Sequence, residues 1–225
     1  MTGSGSICAG EREGIMGYRY LDMEHYVRKA HFEYFDSLAY PYVGVTVNTD
    51  IGPLLRKVQS EHLPFFFTVC YCVSRAANSI PEFRQRIMDH RIIEFDRCKT
   101  SHTVALEDGT YCYCTLEDTM PFSDYITYAR RMQDEAKQVG MIEEEKDEIY
   151  DKFFISTLPW ISYTSIIQPV PVPADSNPRI TWGKYFQQEN RTLLPMSVLC
   201  HHGLVDGRHL ADFCRAFEEE CARLL

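Results

Sequence analysis

The chain has 225 residues, enough for one sizeable core and short of the length at which cores divide. Its 32 acidic and 23 basic residues give a formal net charge of −9, which speaks against docking on nucleic-acid phosphates or on an anionic membrane surface. No run of about 18 apolar residues occurs, so no membrane span is expected, and 45% hydrophobic with 24% charged residues is ordinary globular composition.

The first ten residues, MTGSGSICAG, have neither a basic start nor an apolar stretch and do not read as a signal peptide. Residues 1–17 are expected to be a loose leader, residues 18–225 a single domain, and the compartment the cytoplasm. DMEHYVRKAHFEYF (22–35) has a helical pattern with Asp22 as its N-cap. YVGVTVNT (42–49) reads as a strand. LPFFFTVCYCVSRAANSI (63–80) is too long for a strand and predicts a buried helix, closed before Pro81.

IIEF (92–95), HTVALE (102–107) and YCYCTL (111–116) predict strands. SDYITYARRMQDEAKQV (123–139) predicts an amphipathic helix opened by Ser123, followed by a solvated acidic turn over 143–148. FFIST (153–157), ISYTSIIQ (161–168) and RITWGKYFQQ (179–188) are strand-like, with PVPVPADSNP between the last two as an extended surface loop. TLLPMSVLCHH (192–202) is a further strand. A last helix is expected from about 206 to 223, with Leu210, Phe213, Cys214, Phe217 and Cys221 on one face. Strands and helices mix without regular alternation, which predicts an α+β fold with a mixed, largely antiparallel sheet covered by helices. The 9 cysteines include no CxxC and are expected to be small buried hydrophobes in a reducing compartment.

The chemistry-bearing stretch is His201-His202-Gly203-Leu204-Val205-Asp206-Gly207, where a strand gives way to the last helix. Period two sends His201 and His202 to opposite faces, so only one can enter a given cleft. A neutral imidazole is the usual general base near neutral pH. Asp206 either orients that imidazole or fixes the turn. A metal site from His201, His202, His209 and Cys214 lacks support from any CxxC or HExxH, so no metal is expected.

Four stretches, in order, resemble the chloramphenicol acetyltransferase family. LDMEHYVRKAHFEYF (21–35) resembles its opening WxRxxHFEFY helix, and ISTLPWISYTS (155–165) its SALPW strand. ITWGKYFQQENRTLLPMSV (180–198) is similar to its K-Y-x-x-E…LLP-SV segment, and HHGLVDG to its active-site motif.

The resemblance implies a coenzyme A-dependent acyltransferase fold and a homotrimer with active sites at subunit interfaces. Acetyl-CoA and a hydroxyl acceptor, chloramphenicol, would enter from opposite sides. It implies that His202 is the base, that Ser156 stabilises the tetrahedral oxyanion, and that Asp206 pairs with Arg28. Tyr34, Phe35 and Tyr111 are the implied acceptor contacts. The chain departs from the family at Tyr26, at the Tyr34-Phe35 order, and at Leu199, Cys200, Gly203 and Arg208. These departures leave the catalytic groups intact and bear on the acceptor. A different hydroxyl acceptor, or an inactive binding homologue, stands as the alternative.

Overall fold

The computed structural model describes residues 17–140 and 149–225. Apart from Gly17, the expected leader lies outside the described residues, as does the acidic turn over 143–148. In chain order the elements begin β1 (Tyr18–Tyr20), α1 (Lys29–Asp36), β2 (Tyr42–Asp50), α2 (Gly52–Ser60) and α3 (Phe65–Asn78). A 3-10 turn (Pro81–Arg84) leads to β3 (Gln85–Met88), β4 (Arg91–Phe95), β5 (Lys99–Ala105), β6 (Tyr111–Leu116) and α4 (Phe122–Val139). The second half is β7 (Lys152–Leu158), β8 (Arg179–Gly183), β9 (Phe186–Gln188), β10 (Arg191–His201) and α5 (Gly207–Arg223).

The large sheet runs β2-β10-β8-β7-β5-β6, with β9 pairing on β10. β7 is parallel to both β5 and β8, and the other pairings are antiparallel. The small sheet is β1-β4-β3. The result is the expected α+β class with a mixed sheet. β10 is central, and its period-two alternation decides the layers. Leu194, Met196, Val198 and Cys200 enter the core with Ile180, Trp182, Phe153 and Ile155, under α2 to α5. The opposite face carries Ser197, Leu199 and His201. Thr46 and Thr181, level with Ser197, and Ser156, level with Thr181, extend it as a row of hydroxyls.

Helix α3 is buried nearly all round: Val69, Cys70, Cys72, Val73, Ala76 and Ala77 are inaccessible. The cysteines among the described residues are free thiols, all buried except Cys214, which is intermediate. The β5–β6 turn follows from its sequence: the Asp108 carboxylate accepts the Thr110 N–H at 2.9 Å, and Gly109 supplies φ +86°.

Several expectations need correction. The first helix begins at Lys29, seven residues after Asp22. Asp22 instead closes a turn, accepting the Glu24 N–H at 2.9 Å and pairing with His25 Nδ1 at 2.7 Å. Helix α4 starts at Phe122 with Pro121 as its N-cap, so Ser123 lies inside it. The 161–168 segment is not a strand. It crosses the hydroxyl face, where Tyr163 donates to the Thr181 carbonyl at 2.8 Å and the Thr181 hydroxyl meets Gln168 at 3.2 Å. The expected strand over 179–188 breaks at Lys184 and Tyr185 into β8 and β9. Helix α2 and strands β1 and β3 were not anticipated. The Asp50 carboxylate prepares α2 by accepting the Gly52 N–H at 2.9 Å, with Pro53 in the first turn.

Candidate active site

His202 follows directly on β10 and is held on three sides. Its backbone N–H donates to the Pro41 carbonyl at 2.6 Å. Its ring stacks on Phe35 of α1 with centroids 3.8 Å apart and planes 18° apart. Its Nδ1 lies 3.0 Å from the Val205 carbonyl oxygen. A carbonyl only accepts, so the proton sits on Nδ1 and the Nε2 lone pair is available as a base.

His201 points the other way and is buried. Its Nδ1 accepts the Gly203 N–H at 3.1 Å, and its ring meets Tyr42 edge-on. Burial lowers its pKa, so it stays neutral and structural. A Cβ at Gly203 would sit 3.1 Å from this ring and 3.3 Å from Phe32, which accounts for the glycine there.

Among the described residues, Asp206 makes no hydrogen bond or ion pair with His202. It is the N-cap of α5, accepting the Arg208 N–H at 2.9 Å on Oδ1, while the Arg28 guanidinium donates to Oδ2. Burial acts to raise its pKa. The hydrogen bonds from Arg28 and Arg208, with the nearby Arg28 charge, outweigh that and hold the carboxyl below its ordinary value. Of the two roles open to Asp206, the geometry assigns the second: it fixes the turn. It also ties α5 to Arg28, which immediately precedes α1.

Ser156 lies elsewhere. It sits on β7 opposite Thr181, which is opposite Ser197 of β10. With about 3.3 Å per strand residue and about 4.8 Å between strands, the offset from Ser197 to His202 leaves Ser156 on the order of 20 Å from His202. Tyr111 groups with Ser156. It begins β6, pairs with Ala105 of β5 on the hydroxyl face, and is 49% exposed. Tyr34 groups with His202: it precedes Phe35 on α1, edge-on to it at 5.1 Å, and is 62% exposed. One chain therefore brings together His202, Phe35, Tyr34, Asp206 and Arg28, and holds Ser156 and Tyr111 apart from them.

A cavity of about 380 Å³ opens at the Thr157 end of β7, on the sheet face opposite Ser156, lined by Thr157, Pro159, Trp182, Tyr185, Lys137 and Lys184 among others. His102 of β5 forms part of its wall. Its Nε2 faces Gln133 of α4 at 3.3 Å, and burial pushes its pKa down to about 4. Composition did not reveal this basic, aromatic pocket. Lys184 and Tyr185 were present in the 180–198 stretch, but only the break between β8 and β9 turns them to the cavity. A second cavity of about 410 Å³ lies between Tyr42, Thr46 and Ser197 of the hydroxyl face and the 164–168 segment.

The His202 imidazole, with Nδ1 toward the Val205 carbonyl, thus stands at a strand end on a mixed sheet. The family model for chloramphenicol acetyltransferase matches residues 16–218, and the chain belongs to that family. It is 29% identical to a chloramphenicol acetyltransferase of Klebsiella sp over 212 residues, covering 92% of this chain and 95% of the relative. It is 28% identical to chloramphenicol acetyltransferase 3 of Escherichia coli, covering 92% and 98%. A solved chloramphenicol acetyltransferase superposes with TM-score 0.82 at 26% identity, over 90% of this chain and 99% of that one. The cubic core of the pyruvate dehydrogenase multienzyme complex shares the fold, at TM-score 0.66 and 15% identity.

Proposed function

We propose that residues 18–225 form a single O-acetyltransferase domain that moves an acetyl group from acetyl-CoA to a hydroxyl of chloramphenicol, in the cytoplasm. The observation that carries this reading is the fixed tautomer of His202. With Nδ1–H engaged by the Val205 carbonyl, Nε2 is free to take a proton from the acceptor hydroxyl as its oxygen attacks the thioester carbon. The same nitrogen returns the proton to the departing thiolate sulfur. The Ser156 hydroxyl donates to the carbonyl oxygen as negative charge grows there.

The separation of Ser156 from His202 supports a site completed between copies. A face carrying His202 on one chain meets a face carrying Ser156 on the next. Such a contact is heterologous, and it closes into a ring when the rotation allows. A homotrimer with three interface sites fits this geometry and the family. Exposed apolar side chains, Tyr34 and Tyr40 on the first face and Trp160 beside Ser156 on the second, support burial of both faces. The cavity at the Thr157 end of β7 suits a polyphosphate coenzyme: Lys137 and Lys184 supply positive charge in a chain of net charge −9, and Trp182 and Tyr185 supply aromatic surface.

One observation favours a second acceptor class. The hydroxyl row and Gln168 give the face beside Ser156 a polar character, which suits a more polar alcohol. The test is thiol release from acetyl-CoA by the wild type and by His202→Ala, with chloramphenicol and with a panel of other alcohols. Chloramphenicol-dependent release lost in His202→Ala is the expected result. Release with other alcohols only would move the reading to the second acceptor class. No release with any acceptor would overturn the enzymatic reading.

A further inference from the structure

The peptide unit joining Val205 to Asp206 is engaged at both ends by histidines. Its carbonyl accepts from His202 Nδ1 at 3.0 Å, and its N–H donates to His209 Nδ1 at 3.1 Å. His209 therefore keeps its own proton on Nε2, which lies 3.5 Å from a Glu82 carboxylate oxygen in the 3-10 turn. The line of groups runs Glu82, His209, the 205–206 peptide, His202. It is shielded: Val205 is 1% exposed, and the His209 side chain is 13% exposed.

We propose that His209 is a positioning residue for catalysis, acting on the base through this peptide. The inference rests on the reading of His202 as the base. A peptide plane can turn when only one end is held. If the 205–206 plane turned, the Val205 carbonyl would leave Nδ1, and His202 could place its proton on Nε2. That tautomer cannot accept the acceptor's proton at Nε2. His209 holds the N–H end and so fixes the plane. Hydrogen bonds in a shielded chain also polarise one another, which makes the Val205 oxygen a stronger acceptor.

The spacing explains why histidine serves at this point. In a capping box the residue three beyond the N-cap reaches back to the N-cap N–H, a task usually given to Glu or Gln. Residue 209 holds that place relative to Asp206. A glutamate there would face the Asp206 carboxylate, which lies 3.3 Å from His209 Nδ1. Neutral histidine accepts the N–H without that repulsion, and its second nitrogen, which carries the proton, lies 3.5 Å from the Glu82 carboxylate.

The experiment compares His209→Ala and His209→Gln with the wild type. Glutamine restores an acceptor for the Asp206 N–H. Imidazole 15N shifts of His202, measured without substrate, report its tautomer, and thiol release reports kcat and KM. His209→Ala is expected to shift part of His202 to the Nε2–H tautomer. Its kcat should fall about tenfold, a share of the ~10²–10⁴-fold that general-base catalysis supplies, with KM little changed. His209→Gln should restore the tautomer and most of kcat. A melting temperature lowered in His209→Ala with tautomer and kcat unchanged would reduce His209 to a helix cap and overturn the proposal. An unchanged His202 tautomer in a folded His209→Ala protein would overturn it too. Because the tautomer is read without any acceptor, failure of the acetyltransferase reading would show separately, as absence of turnover in the wild type.

Discussion

At the scale of single residues, the arrangement separates groups that do chemistry from groups that hold them. His202 offers Nε2; Phe35, Val205 and Pro41 fix its ring and backbone. Phe35, an acceptor contact implied by the resemblance, has its ring flat on the imidazole at 3.8 Å. Stacking of this kind contributes about 0.5–1.5 kcal/mol beyond area burial and limits ring rotation. Phe35→Leu keeps an apolar side chain but loses the flat partner. Its kcat is expected to fall several-fold while KM for the acceptor changes by less than twofold. Steady-state kinetics on the purified variant checks this. A raised KM with unchanged kcat would show that Phe35 contacts the acceptor and does not serve the base.

At the scale of elements, Arg28 and Asp206 join the start of α1 to the start of α5. Their side chains are 22% and 37% exposed, so part of the attraction is screened by solvent. The carboxylate also caps α5, so losing it affects two interactions at once. A double-mutant cycle, Arg28→Met and Asp206→Asn, is expected to be non-additive in thermal stability, by more than the ~0–1 kcal/mol of an exposed pair. Additive losses would mean the two side chains do not interact in solution.

His102, between α3 and α4, gives a pH dependence. Burial holds its folded pKa at about 4, against 6.5 for the free group. The unfolded chain therefore takes up a proton first, and stability falls as pH drops from 6.5 toward 4, by up to ~3 kcal/mol. Denaturant melts of wild type and His102→Gln at both pH values should differ in slope, with the variant flatter. Equal slopes would show that His102 is solvated when folded.

These elements also show what could be read from residue order. The histidine pair and the cap were legible as local patterns, adjacent histidines at a strand end and Asp-Gly opening a helix, whereas the choice of His202 over His201 and the pairing of Arg28 came only through the family resemblance. The start of α1 was not legible. Side-chain bonds at Asp22 compete with helix, and propensity alone gives them no weight. ISYTSIIQ has strand composition, but the neighbouring positions in the sheet belong to β8 and β10, so the segment becomes a cover. Helix α2 was missed because it is short and opens on Gly52-Pro53, which reads as a turn.

At the scale of the whole molecule, the decisive property is strand order, which no local pattern encodes. Placing β8 between β10 and β7, with Ser156 level with Ser197, fixes the distance between the proposed base and the proposed oxyanion donor. Both residues belong to one chain, yet that chain cannot bring them together. In the proposed ring each site takes His202 from one copy and Ser156 from its neighbour. This makes a prediction that no single-chain site would share. His202→Ala and Ser156→Ala should each lose activity by at least about 10²-fold in homogeneous form. Unfolded together in equal amounts and refolded, they form mixed rings. A site works when its histidine side comes from the Ser156→Ala chain and its serine side from the His202→Ala chain. Random mixing makes about a quarter of the sites of that kind, so roughly a quarter of wild-type activity should return. Refolding each variant alone supplies the baseline. Activity that stays at the sum of the two separate variants, in samples that elute as mixed oligomers, would place both residues of a working site in the same chain. That outcome would require α1 and β7 to approach by a rearrangement of the sheet.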